Sequence, residues 1–449
     1  MESAADIVRL AIDRALAAGA YQVDAALSES EAFESRVRGR EIDFVKQSAE
    51  RGLGIRVFTG GRWGLSTAST RTADLARDVV ARTAADAVAL ARATAADPCA
   101  GLPESGFAAE TPDLELFEPR DRPFDPATRI GAARAAEASA RATDPRIGDS
   151  EGSQVDSSYG SVVYGNSAGF LGEYASARHS LMAEALARGE GSQGMQRDAW
   201  FTSSRRWDGL EPGDAVGRRA AERALRRLGA RKVPTQEAPV IFDAWTAASL
   251  VRMLAGCASG YAIYRGASFL AGKLGLAVAS PEVTIVDDPL LRGGLGSRPF
   301  DGEGLPSRRN VLVQNGRLAT YLLDTYSARK LGLRSTGSAA RFGGATTTNL
   351  WLEPGKRTPE EIIASTPRGL YVTELIGSGF NAVTGDYSRG AAGVWIENGE
   401  LTHPVEEITI AGNLGAMLRD VDAIGNDLLW LGATAAPTVR IARMTIAGQ

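Results

Sequence analysis

Cysteine and histidine are scarce in this 449-residue chain, with two of each: Cys99 and Cys257, His179 and His403. Two thiols cannot build a disulfide framework for a chain this long, which excludes the stapled secreted scaffolds and points to a reducing compartment. Lysine occurs only at positions 46, 232, 273, 330 and 356, so 45 of the 50 basic residues are arginine. Against 54 acidic residues the formal net charge is −4. That balance lacks the positive field on which sequence-independent nucleic-acid binding depends. No apolar run approaches roughly 18 residues, so nothing reads as membrane-spanning. The first twenty residues carry Glu2, Asp6, Arg9 and Asp13 among apolar positions and read as an amphipathic helix, not a secretory signal. A cytoplasmic protein is expected.

What the chain does have is 44% hydrophobic residues, enough for more than one core, and a length that suggests two or three domains. Strand patterns are expected over Tyr21–Leu27, Phe33–Val37 and Leu53–Phe58, then an alanine-rich helix over Thr72–Ala95. Asp97–Phe124, rich in proline and acid, reads as a connector. A second helix opens at Asp125-Pro126, a capping aspartate followed by proline at the first helical position, and runs to about Thr143. Strands return over Ser153–Phe201. A third helix is expected over Asp214–Leu228, capped by Asp214 and stopped by Gly229. Beyond Pro239 one helix, Ala244 to about Ala258, precedes many short strand-like runs divided by glycine. The expected class is α+β: an N-terminal α/β region of mixed sheet and helices at 1–231, divisible near 98–124, then a β-rich C-terminal domain of antiparallel sheets at 232–449.

The densest segment is Gly369–Leu414. Its β-branched and aromatic runs, Gly369-Leu-Tyr-Val-Thr and Ala392-Gly-Val-Trp-Ile-Glu, are punctuated by Gly377-Ser-Gly379, Thr384-Gly385-Asp386 and Asn398-Gly399. An ordered series extends outward from it: Gly52-Leu-Gly-Ile-Arg-Val57, Gly61-Arg-Trp-Gly64, Asn166-Ser-Ala-Gly169, Val283–Asp288, Phe300-Asp-Gly-Glu-Gly-Leu-Pro306, Asn315-Gly316, Ser335-Thr-Gly337, Ile408-Thr-Ile-Ala-Gly-Asn413 and Ile424-Gly-Asn-Asp427. Each piece is weak alone, but the series covers nearly the whole chain and resembles the TldD/PmbA family, also called modulators of DNA gyrase. The Ile-Thr-Ile-Ala-Gly-Asn block resembles the PmbA (TldE) branch.

The resemblance implies zinc peptidase chemistry in the family's catalytic members, which carry a His-Glu-x-x-x-His helix and a later cysteine. Two imidazoles ligate the metal and the glutamate between them activates water. In this chain the corresponding positions fall near Val251-Arg-Met-Leu-Ala-Gly256, with Val251 and Gly256 for the ligands and Arg252 for the base, and no cysteine follows Asp427. None of the three can take those roles. What the resemblance then implies is a non-catalytic subunit without a cofactor of its own. It would pair with a TldD-type chain that holds the zinc, or with itself, to enclose short or unfolded peptides. Asp301, Glu303, Arg341 and Asn381 lie in family-like blocks and are candidates for the peptide-facing surface; equally, they would brace turns through hydrogen bonds.

Two other functions stay open at this level. One is an adaptor for a DNA-linked target such as gyrase, for which the basic stripe Arg218, Arg219, Arg223, Arg226, Arg227 would serve; with Glu222 interleaved, it reads first as a solvated helix face. The other is an independent hydrolase using Ser167 or Cys257. Gly165-Asn-Ser167-Ala-Gly169 matches the spacing of a nucleophile elbow, but the alternating residues after it fit a hairpin turn instead. A metal site from Cys257, His403 and scattered carboxylates would lack the close spacing such ligand sets use. Gly293-Gly-Leu-Gly296 lacks the Lys-Ser/Thr of a phosphate loop.

Overall fold

Period-two burial along the first half of the chain lays down one wide antiparallel sheet. The computed structural model describes residues 2–448 except 62, 123, 192 and 193. Arg62 of the Gly61–Gly64 motif, Pro123 of the connector and Met1 of the opening segment therefore lie outside the described residues. Helix α1 (Ala4–Ala17) starts on a capping box, with the Ser3 hydroxyl accepting from the Asp6 amide and the Asp6 carboxylate accepting from the Ser3 amide. Then come β1 (Gln22–Arg38), β2 (Glu41–Gly61), β3 (Gly64–Thr72), α2 (Arg77–Arg92), α3 (Pro126–Thr143), β4 (Asp149–Asn166), β5 (Leu171–Arg188), β6 (Met195–Ser204) and α4 (Gly213–Leu225). The sheet order is β3-β2-β1-β4-β5-β6, with every pairing antiparallel.

Odd-numbered residues of β1, β4 and β5 face the helices. Val23, Ala25 and Leu27 pack with Leu53, Ile55 and Val57 under α1 and α2. Phe33, Val37, Val155 and Leu181 pack under α3 and α4. Two separate cores thus share one face of one sheet. The opposite face presents the even set, including Asp24, Ala26, Arg56 and Tyr164, to the second half of the chain. There Ala26 and Tyr164 pack on Phe300.

The second half contains β7 (Gln236–Phe242), α5 (Ala244–Cys257), α6 (Gly260–Tyr264), β8 (Ile285–Asp287), β9 (Asn310–Gln314), β10 (Arg317–Leu318), α7 (Thr325–Leu331), β11 (Leu350–Leu352), α8 (Pro359–Ala364), β12 (Arg368–Ile376), β13 (Asp386–Glu397), β14 (Glu400–Asn413), α9 (Leu414–Arg419), β15 (Val421–Ile424), β16 (Leu429–Leu431), β17 (Thr434–Ala436) and β18 (Val439–Ala447). One sheet runs β14-β13-β12-β7-β18-β15, and a further β14–β18 pairing closes five of its strands on themselves. The other runs β10-β9-β8-β11-β17-β16. Helix α5 joins both in a single core with residues such as Leu254, Val372, Leu350 and Ile441. The halves dock through arginines that donate to bare carbonyls: Arg329 to Cys99, Gly101 and Leu102, and Arg205 to Gly294 and Leu295.

The α+β class stands. Strand direction is distributed differently from the sequence reading, because the parallel pairs, β7–β12 and β11–β17, lie in the C-terminal half. Several local expectations also change. Apart from Tyr21, Tyr21–Leu27 and Phe33–Val37 belong to one continuous strand, since β1 is paired along both edges. The 72–95 helix shortens to α2 because Gly64–Thr72 is claimed by the sheet edge. Asp214 lies inside the first turn of α4, whose cap position is Pro212 with no side-chain bond. Helices α6–α9 are additions; they span five to seven residues, too few to show a period.

Candidate functional site

Helix α5, where the resemblance would place metal ligands, is capped and largely buried. Asp243 caps α5, its Oδ1 accepting from the Thr246 amide and hydroxyl, both at 2.8 Å. Burial pushes this carboxyl upward, against the pull of Arg223. Val251 is only 3% exposed and packs in the core, while Arg252 and Gly256, one turn apart, are exposed on the other side. Arg252 and Ser249 line a cleft of about 370 Å³ between the two halves, opposite Asp198, Arg223, Glu374 and Arg389. At the positions where the resemblance would put two imidazoles and a carboxylate stand an apolar side chain, a cation and a glycine, and these do not fit a zinc ion. Cys257 is buried and its thiol is raised to about 11 by that burial, the opposite of a ligand thiolate. His403 lies on the β13–β14 hairpin beside Thr402. Among the described residues no three of His, Cys, Asp and Glu come together to hold a metal ion.

The dense segment Gly369–Leu414 is the hairpin pair β12–β13–β14. Asn398 and Gly399 both take positive φ, 53° and 79°, in the turn joining β13 to β14. The turn after β12 is open to solvent, with Ile376 and Val383 each 54% exposed. Gly379 is required there because a Cβ would sit 1.8 Å from the Ser388 carbonyl oxygen.

The descriptions PmbA/TldA metallopeptidase domain 1, central domain and C-terminal domain match residues 23–91, 119–228 and 235–448 in turn. The chain is 41% identical over 428 residues to metalloprotease PmbA of Escherichia coli O157:H7, covering 95% of this chain and 92% of that one. The chain belongs to the PmbA/TldD family. Its fold is shared with a Bacteroides thetaiotaomicron structure described as a modulator of DNA gyrase, at TM-score 0.90 and 29% identity over 99% of this chain and 98% of that one. It is also shared with TldE from Thermococcus kodakarensis, at TM-score 0.87 and 23% identity over 98% and 100%.

The four family-block residues do not form one surface. Asp301 is buried and spends both oxygens on backbone amides, Oδ1 on Glu303 and Leu305 and Oδ2 on Ala339. Arg341 reaches across to the N-terminal sheet, donating to Tyr174 Oη at 2.9 Å and Ser28 Oγ at 3.3 Å. Asn381 is exposed and braces the signature turn, its side-chain oxygen accepting from the Val383 and Thr384 amides. Glu303 differs. It is 2% exposed, Oε2 accepts from the Thr325 amide and hydroxyl, and the side chain lines a cavity between the halves. Burial pushes its carboxyl from an ordinary 4.5 to about 7, against the pull of Arg56 and with Asp301 and Asp324 adding to the rise.

The hydrolase candidates resolve as structure. Ser167 sits in the β4–β5 turn, where its Oγ accepts from the Val23 amide and its own amide donates to Val23. His179 is instead bonded to Ser157, Nδ1 to Oγ at 2.8 Å, with Asp121 3.5 Å from Nε2. In composition this is a Ser-His-Asp set, which the sequence did not reveal because the three lie on separate segments. It lies sealed under α3: Ser157 and His179 are at most 1% exposed, and the Arg129 guanidinium, stacked 3.8 Å over Trp207, donates to the same hydroxyl. Burial, then Arg129, lowers the imidazole to about 4. The basic stripe on α4 also changes meaning. Arg218, Arg219 and Arg226 are exposed, but Arg223 and Arg227 turn inward toward Asp198 and Glu374 and donate to the carbonyls of Thr373 and Arg197.

Proposed function

We propose that this chain is the non-catalytic, TldE-like subunit of a heterodimeric TldD/TldE-type zinc metallopeptidase acting in the cytoplasm on short or unfolded peptides. One observation carries the reading. On α5, within a family whose named relatives are metalloproteases, the chain presents Val251 to the core, Arg252 to the cleft and Gly256 to solvent, residues with no capacity to ligate zinc or take a proton from water. The helix is capped by Asp243 and packed between the sheets, and its residues at those positions are not metal ligands. The likeness in fold to a structure named TldE fits a chain that supplies wall and docking surface. An extended peptide beside such a wall would add as a strand to a sheet edge, with main-chain hydrogen bonds giving tolerance to sequence.

The test is reconstitution. The purified chain should retain no stoichiometric zinc and cleave no unfolded peptide. Addition of a His-Glu-x-x-x-His family member from the same cells should give a stoichiometric complex whose peptidase activity is lost to chelator. Chelator-sensitive cleavage by the isolated chain, with one metal per polypeptide, would overturn the proposal.

A further inference from the structure

A cavity of about 490 Å³ lies between the even face of the N-terminal sheet and the loops of the C-terminal half, within the range of small-molecule sites. One wall is apolar: Phe58, Leu65 and Phe342. The opposite wall carries Glu303 and Asp324. Charge on this wall is unbalanced. Arg56, which lines the cavity and sits over the Phe58 ring, pairs with Asp24 through bonds of 2.9 and 2.7 Å, and Asp97 pairs with Lys330 at 2.8 Å. Asp324 spends its oxygens on Ser327 and the Gly344 amide. Glu303 spends only Oε2, leaving Oε1 without a partner among the described residues, on a side chain 2% exposed and lining the cavity. Oε1 is not sealed in protein but opens on the cavity, where an entering donor can reach it. The aromatic wall is held at a cost: Phe342 adopts φ 62°, unusual for a bulky residue, and its ring occupies space left by Gly54, where a Cβ would lie 2.4 Å from Cε2.

We propose that this cavity binds a small amphipathic cation, a primary ammonium on an aromatic or aliphatic body, with the ammonium donating to Glu303 Oε1 and the body lying between Phe58 and Phe342. The carboxylate supplies the charge and the rings supply the apolar contact. The site is separate from the α5 cleft and makes no use of a metal or a partner chain.

Phenethylamine is the probe, measured by titration calorimetry on the full chain, with 2-phenylethanol and 3-phenylpropionate as the neutral and anionic counterparts. Binding should be saturable at pH 8 and about tenfold weaker at pH 6, because a carboxyl titrating near 7 is largely ionised at the first pH and largely protonated at the second. The alcohol and the acid should not bind. Glu303→Gln, which keeps an oxygen for Thr325, should weaken binding at least tenfold and erase the pH dependence. Thr67→Trp, an exposed change at the rim, should block entry without touching the carboxylate, and it decides the matter if Glu303→Gln does not fold. Failure of phenethylamine to bind the wild type at millimolar concentration, equal binding by the alcohol, or affinity unchanged in Thr67→Trp would overturn the proposal.

Discussion

Replacing Glu303 by glutamine should change how stability depends on pH, whatever the cavity binds. In the unfolded chain the carboxyl ionises near its ordinary 4.5; in the fold it holds its proton to about 7. Between those values the native state keeps a proton that the unfolded chain has released, so stability falls as pH rises. The wild type is penalised most above pH 7 and not at all below 4.5. With about 1.4 kcal/mol for each pH step between the two ionisations, the full penalty is about 3 kcal/mol. Glutamine is neutral throughout and still accepts from Thr325, so it escapes this cost. Urea unfolding of both proteins, compared in the same transition from pH 4 to 8.5, should show the variant gaining on the wild type by about 3 kcal/mol across the range, with most of the gain between pH 5 and 7.5. Titrating groups that do not interact with Glu303 cancel in the comparison. A gap that stays constant with pH, or narrows as pH rises, would refute the reasoning, since it would mean the carboxylate is as well solvated in the fold as outside it.

His179 carries the opposite dependence. Its folded value of about 4 lies below the ordinary 6.5, so stability should fall by about 2–3 kcal/mol as pH drops from 7 to 4.5, and His179→Gln should remove that part of the loss, read from urea midpoints at the two pH values. Leu254→Ala empties the middle of α5 at a fully buried position, where truncation costs about 2–5 kcal/mol; thermal unfolding followed by circular dichroism should show a clear drop in midpoint, and a midpoint within one degree of wild type would show that α5 is not central to the C-terminal core.

Much of the architecture is visible in local chemistry. Asp125-Pro126 starts α3 and the aspartate accepts from the Ala127 and Thr128 amides, as an N-cap does. Asn398-Gly399 turns β13 into β14. Gly165–Gly169 makes a hairpin and not a nucleophile elbow, because strand alternation continues on both sides of it. Short helices were harder to see, although Thr358-Pro-Glu-Glu361 is a full capping box that signals α8 in only four residues. The site residues were least visible. Asp301 and Glu303 stand two apart in one loop, yet one is locked by three backbone amides and the other is left with a free oxygen. Nothing in Asp-Gly-Glu-Gly distinguishes them. The α4 stripe misled for a related reason: helical spacing says which arginines share a face, not what that face meets.

By itself, the sequence determined which chemistry α5 lacks, where the strands turn and that the family series runs through nearly the whole chain, because residue identity, turn residues and periodicity are local properties. The tertiary structure alone decided that one face of the first sheet would be buried against C-terminal loops. It also decided that Asp24 would neutralise Arg56 there, and that Glu303 would be left with an oxygen facing an aromatic-walled cavity. The physical reason is that burial and charge pairing depend on residues far apart in the chain, as the distance in sequence between Arg56 and Glu303 shows, and no local pattern carries that distance.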